Sequence, residues 1–246
     1  MLFRSKYDCK DLSFVCHSPY YGGAIYAVVA DTEFVYAGGY QAHGSPPPAV
    51  RKYRQDNLAL IGSAPNYGGT IHALTGGLDP DYVYAGGTGA RVIRKYQKSD
   101  LSLVASSSNL GRDIEALDED DEFLYVGCFG NNDYVRKFSK SNLAQVGTFP
   151  IYGKRVYAIR NDVDYVYAGG GSTYRVMKYR KSNYTLVAMS IPYGYTIYSL
   201  TAQDENYVYA WGNANGTQNI TPKKYAKSNL AFIVKGPPNQ IGRAHV

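Results

Sequence analysis

Cysteine and tryptophan are scarce in this chain, and so is every motif that carries bond-making chemistry. Three cysteines, Cys9, Cys16 and Cys128, form an odd, sparse set, which excludes a disulfide framework and reads as incidental thiols. Trp211 stands alone. No apolar stretch approaches the roughly 20 residues that span a bilayer as a helix, and no signal peptide follows Met1. Helical spacing of apolar residues is absent, which sets aside a helical solenoid. The histidines His17, His43, His72 and His245 are scattered without zinc-ligand spacing, and there is no nucleophile elbow, Walker loop or dinucleotide glycine pattern. The acidic run Asp118–Glu122 lacks the alternation of a calcium loop and reads as a solvated turn. No catalytic, cofactor-binding or metal-ligating residue is assigned, and no cofactor is expected. The sequons at Asn183, Asn215 and Asn219 need a secretory context to matter.

What is abundant is tyrosine, with 26 residues, beside 26 glycines in a chain 45% hydrophobic and 19% charged. That composition is globular and favours pleated, half-buried surface broken by turns. Self-similarity then decides the fold class. The phrase I-x-A-L, an acidic turn, Y-V-Y-A-G-G, V-R-K-Y and K-S-N-L restarts at Ile25, Ile71, Ile114, Val156 and Ile197, in steps of 46, 43, 42 and 41 residues. Each copy parses into four short strands, here named a to d, as a four-stranded blade of ~40–45 residues requires. The expectation is an all-β β-propeller: a half-blade at 1–23, where Lys6 and Tyr7 fall on Lys95 and Tyr96, and blades 1 to 5 at 24–69, 70–112, 113–154, 155–195 and 196–240. It would be six-bladed if closed.

These motifs resemble the WD-repeat and quinoprotein-like (PQQ-like, YVTN-like) propeller superfamily, over residues 1–236. The resemblance implies stacked antiparallel blades. The Gly-His and Trp-Asp pairs of WD repeats, a tryptophan in each blade and vicinal cysteines are missing, so quinone binding is carried over to no residue.

The ends carry two further expectations. Residues 241–246 have no counterpart in any copy and can be encoded by the start of a common short-read sequencing adapter, so they read as adapter read-through of a longer, truncated propeller. Met1 falls in register with the start of a strand c, which leaves the compartment open, cytoplasmic or secreted.

A net charge of +6 and a pI near 9.0 invite a nucleic-acid reading, but the bases recur in strand c and the c–d turn and the acids in the a–b turn. The expectation is a solvated mixed-charge face, with nucleic acid unfavoured. The opposite face carries the d–a and b–c loops. There an aromatic-Gly step precedes variable residues, and loop variation over a constant scaffold is where recognition resides. The candidate binding face is Tyr21, Tyr67, Arg112, Tyr152, Lys154, Arg155, Tyr193, Tyr195 and Trp211. The competing reading packs each tyrosine against the neighbouring blade. The function expected is a non-catalytic scaffold binding a protein or a glycan. The alternatives are a cofactor-binding or enzymatic propeller whose essential residues lie in missing sequence, and a surface or virion adhesin.

Overall fold

A computed structural model of the chain describes residues 5–8, 10–11, 13–41, 49–213 and 220–236. Residues 42–48, 214–219 and 237–246, which hold most of the two long b–c loops and the supposed adapter tail, lie outside the described residues, as does Cys9. Cys16 and Cys128 form no disulfide. Every regular element among the described residues is a strand, and no helix is long and apolar enough to cross a membrane.

The chain divides into two compact units, Met1–Gly111 and Arg112–Val246. The first holds a two-stranded pair, Ser5–Tyr7 with Phe14–His17, and two four-stranded antiparallel sheets. Blade 1 is Ile25–Ala30, Phe34–Gly39, Arg51–Arg54 and Leu60–Ser63, and blade 2 is Ile71–Thr75, Tyr82–Gly87, Arg94–Gln97 and Leu103–Ser106. In the second unit blade 5 is regular, with Ile197–Thr201, Tyr207–Asn213, Ile220–Ala226 and Phe232–Lys235. Blades 3 and 4 depart from the expected separate sheets and form one six-stranded sheet. Phe123–Ser139 runs through strands b and c of blade 3, and Gln145–Asn161 joins strand d of blade 3 to strand a of blade 4. The reason is local. Where blade 1 leaves through Ala64-Pro65-Asn66, this segment reads Thr148-Phe149-Pro150-Ile151, whose β-branched and aromatic residues stay extended, and Tyr134 pairs with Ile151 and Phe129 with Arg155.

The acidic a–b turn folds by one device in all five blades. Its aspartate (Asp31, Asp79, Asp120, Asp162 or Asp204) accepts the backbone N–H groups two and three residues on through Oδ1. Its Oδ2 accepts the hydroxyl of the tyrosine five residues on, from 2.6 Å at Tyr125 to 3.2 Å at Tyr36. Short side chains that bond their own backbone favour such turns. At the c–d turn the residue after Asn or Asp adopts a left-handed backbone in every blade, with φ of 55° at Leu58, 60° at Leu101, 56° at Leu143, 61° at Tyr184 and 58° at Leu230. That conformation is costly for a residue with a Cβ. Burial of Leu101, Leu143 and Leu230 offsets it.

Within each unit the blades bury one face against the next. Ala27, Tyr36 and Val50 of blade 1 pack on Ile71, Leu74, Val83 and Tyr96 of blade 2, and Ala158, Tyr167 and Val176 of blade 4 pack on Ile197, Leu200, Val208 and Tyr225 of blade 5. The paired glycines that close strand b have separate causes. A Cβ on Gly38 would stand 2.6 Å from Ile71 Cγ2 of the next blade, and one on Gly39 would stand 2.0 Å from the Ala24 carbonyl oxygen of its own blade. Only glycine allows both approaches.

The mixed-charge turns are the solvated face expected from sequence only in part: Glu33, Asp56, Asp164 and Glu205 are exposed, while other charges join blades. The c–d lysine of one blade reaches the a–b aspartate of the blade before it: Lys98 to Asp31 at 3.0 Å, Lys181 to Asp120 at 2.8 Å and Lys227 to Asp162 at 3.2 Å. The strand-c lysine lies over the first ring of strand b, at 3.7 Å for Lys52 on Phe34 and for Lys178 on Tyr165. The acidic run is likewise structural at its start. Glu119 is buried 3.0 Å from Lys140, and Asp118 accepts the Asn161 amide at 2.6 Å. These paired charges sit in the turns where they join neighbouring blades.

Candidate functional site

Four of the candidate tyrosines do not face outward. Tyr21, Tyr67, Tyr152 and Tyr193 are 0–1% exposed. Each hydroxyl donates to a backbone carbonyl: Ala49 at 2.8 Å, Val92 at 2.7 Å, Arg175 at 2.8 Å and Gly212 at 3.2 Å. The glycine after each tyrosine has a positive φ, from 83° at Gly68 to 148° at Gly153, and turns the chain so that the ring enters the blade. Burial pushes the Tyr21 phenol up to about 12. These four rings pack the d–a loops and are not at the surface where a partner would meet them.

The remaining candidates do not form one patch. Lys154 is exposed and Arg112 half-buried, and Trp211 of blade 5 is half-buried and stacked on Tyr209. Arg155 belongs to a cluster that the repeat grammar conceals, built in the second unit on the variable letter of I-x-A-L at Glu115, Tyr157 and Tyr198; in the first unit the same letter is Tyr26 and His72. Pairing of strand a with strand b slips at that letter in every blade, between Ile25 and Ala27, Ile71 and Ala73, Ile114 and Ala116, Val156 and Ala158, and Ile197 and Ser199. A bulge of this kind re-aims the extra side chain. All five are half-buried, beside Ile71, Ile114, Val156 and Ile197, which are fully buried.

In the first unit the Tyr26 and His72 rings stack at 5.4 Å with 8° between their planes. In the second unit Arg155 organises the cluster. Its Nη2 lies 3.1 Å from Glu115 Oε1, its Nη1 donates to the Tyr157 hydroxyl, and its guanidinium carbon lies 3.6 Å over the Phe129 ring. Tyr157 contacts Tyr198 at 5.5 Å, and Tyr195 stacks on Tyr174 at 5.1 Å. Phe129 is 40% exposed and Tyr195 43%. Burial raises the Glu115 carboxyl above its ordinary range, and Arg155 works against that shift. Burial likewise raises the Tyr157 phenol, with Arg155 again opposing.

The arrangement presents exposed ring faces around an ion pair whose charges cancel internally. It suits stacking and hydrogen bonding to a flat ligand surface. Among the described residues no cluster of His, Cys, Asp or Glu has the grouping of a metal site. A separate open cleft of about 610 Å³ runs between blades 1 and 2, lined by Asp31, Phe34, Lys52, Asp79 and Lys98, whose charges serve the blade junction. Sequence reasoning passed over the strand-a positions because it followed the constant letters of the repeat. The available signal was a letter that varies inside an otherwise fixed phrase.

No family model matches the chain, and no curated protein matches it. Solved structures do. The chain is similar to the WD40 repeats of RRP9, with a TM-score of 0.80 at 11% identity over 95% of this chain and 74% of that one. It is similar to U3-55K, with a TM-score of 0.76 at 11% identity over 95% and 75%. It is also similar to the computationally designed Ika8 protein, with a TM-score of 0.73 at 13% identity over 94% and 67%. The chain has an all-β fold of WD-type propeller blades. At these identities the likeness extends to the fold alone.

Proposed function

We propose that the chain is a non-catalytic binding scaffold that presents the strand-a entrance of its second unit to a protein partner. The observation that carries this reading is the group of Phe129, Tyr157 and Tyr198 around the Arg155–Glu115 pair, with Tyr195, stacked on Tyr174, on the loop that leads into the strand of Tyr198, all varying residues on a constant frame. Aromatic residues and arginine are the types enriched where proteins bind proteins. Lys154 and Arg112 border this region in sequence and add positive charge, which suits a partner with acidic residues at its edge.

The test compares the wild-type chain with a Phe129→Ala, Tyr195→Ala double variant on a peptide array and a glycan array. Both positions are exposed, so the variant should keep the wild-type melting temperature. The reading expects peptide hits that weaken at least tenfold in the variant. Peptide hits that persist would place recognition elsewhere, and hits confined to glycans would replace the protein partner with a sugar.

A further inference from the structure

Every c–d hairpin carries the same irregularity one step past its turn. In blade 1 Tyr53 pairs with Leu60 and Lys52 with Gly62, so Ile61 has no residue opposite it. Val104 is passed over in the same way between Leu103 and Ala105, and Val187 between Leu186 and Ala188. Val15 repeats the pattern in the pair of Ser5–Tyr7 with Phe14–His17, as do Val146 in blade 3 and Ile233 in blade 5. Two residues of strand d then face one of strand c, which is a β-bulge. The extra residue is Val or Ile in all six hairpins and is 41–50% exposed in each. The bulge follows the turn whose left-handed residue is Leu58, Leu101 or Tyr184, so the turn fixes its place in the strand.

The strand that carries the bulge is the one most open to a foreign strand. In blades 1, 2 and 4 strand d pairs with strand c alone and ends its sheet, although a whole blade follows it in the chain. An outermost strand presents a row of unpaired N–H and C=O groups, on which another chain can add a strand. Charge and proline, which commonly blunt such an edge, are missing from Leu60–Ser63, Leu103–Ser106 and Leu186–Met189. Leu60, Leu103 and Leu186 are themselves 39–43% exposed, so each edge offers two adjacent apolar side chains to solvent. Short apolar segments without charge are the kind that stack edge to edge.

We propose that this bulge keeps the outer edges of the blades from adding a strand of a second copy of the chain. It leaves one Val or Ile out of the ladder, bends the strand and breaks the even row of outward backbone groups. A straight strand laid along the edge loses register at Ile61, Val104 or Val187, and its side chains beyond that point fall on the wrong face. Deleting the extra residue in blade 2 leaves the existing partners in place, Leu103 with Tyr96 and Ala105 with Lys95. The blade then keeps its internal pairing, and its edge becomes an unbroken apolar template.

The test compares the full chain with a variant lacking Val104 and with Val104→Ala, which shortens the side chain and keeps the bulge. Sedimentation velocity over a range of concentrations reads association. Wild type and Val104→Ala are expected to sediment alike, while the deletion should associate at concentrations about tenfold below any at which the wild type does. Ser106→Lys in the deletion chain should restore wild-type sedimentation, because a charge on this exposed edge position blocks strand pairing and does not cure a misfolded chain. Deletion of Val187 repeats the comparison in blade 4. A second measurement needs no folded variant: a fluorescein-labelled peptide of residues 101–107 without Val104 should give no saturable anisotropy change with the wild-type chain. Folded deletion chains as dispersed as wild type, equal association of Val104→Ala and the deletion, association that survives Ser106→Lys, or saturable peptide binding to the wild type would each overturn the proposal.

Discussion

The Lys181 ammonium, on the c–d turn of blade 4, lies 2.8 Å from Asp120 Oδ2 on the a–b turn of blade 3 and donates to Asn161 Oδ1 at 2.7 Å. The two side chains are 12% and 27% exposed, which sets the pair apart from surface ion pairs that contribute almost nothing. Removing one partner leaves the other desolvated. Lys181→Met is therefore expected to cost about 1–3 kcal/mol in urea unfolding. A double-mutant cycle with Asp120→Asn should give a coupling of at least about 0.5 kcal/mol, and strict additivity would show that the two side chains do not act together.

The same contacts predict how stability varies with pH. Burial works against ionised Asp31, Asp120 and Asp162, but hydrogen bonds from their turns, tyrosines and lysines outweigh it and hold all three below the ordinary carboxylate range. Their contribution is present above the unfolded pKa of about 4 and is lost as pH falls through the lower folded values. Asp118 has the opposite sign. Burial raises it to about 6, against Arg160 and Asn161, so its contribution is lost as pH rises through that value. Asp118→Asn should accordingly stabilise the chain more, relative to wild type, at pH 7.5 than at pH 4.5, as read by denaturant midpoints at the two pH values.

Burial of the d–a tyrosines separates two substitutions at one site. Tyr152→Phe keeps the ring and loses only the bond to the Arg175 carbonyl, at a cost of about 1 kcal/mol. Tyr152→Ala empties a fully buried site and should cost about 3–5 kcal/mol. Calorimetry distinguishes them, and an alanine variant melting like wild type would return this ring to the surface.

Gly169→Ala tests the close approach of blades 4 and 5. The new methyl would lie 2.7 Å from Ile197 Cγ2, so the blades must part or repack, and a loss of about 1–3 kcal/mol is expected. Ile197→Ala in the same chain should recover part of that loss, because the clash and the cavity then offset each other.

The blades were legible because period and turn chemistry agree along the whole chain. Three things were hidden. An aromatic-Gly step in a loop looks exposed until the positive φ of Gly68 or Gly153 shows the ring turned inward. Lys98 and Asp31 look solvated because the partner of each stands more than sixty residues away, on another blade. The left-handed φ of 60° at Leu101 runs against leucine's own preference. Asp100 before it accepts the Ser102 N–H, a turn that recurs in every blade, and burial of the side chain adds to it. The candidate site was only partly legible. Arg155 and Tyr195 were found through the loops, while Glu115, Tyr157 and Tyr198 were masked by the constancy of the strand around them.

The long strands Phe123–Ser139 and Gln145–Asn161 pass from one blade position to the next without a break, and they pair along their length. Blades 3 and 4 therefore share a continuous backbone spine, where blades 1 and 2, and blades 4 and 5, meet through packed side chains. Under tension applied to the two ends of the chain, the single-sheet blades can peel away individually, whereas this pair has to give way together. In a force–extension trace it would appear as one long step among shorter ones.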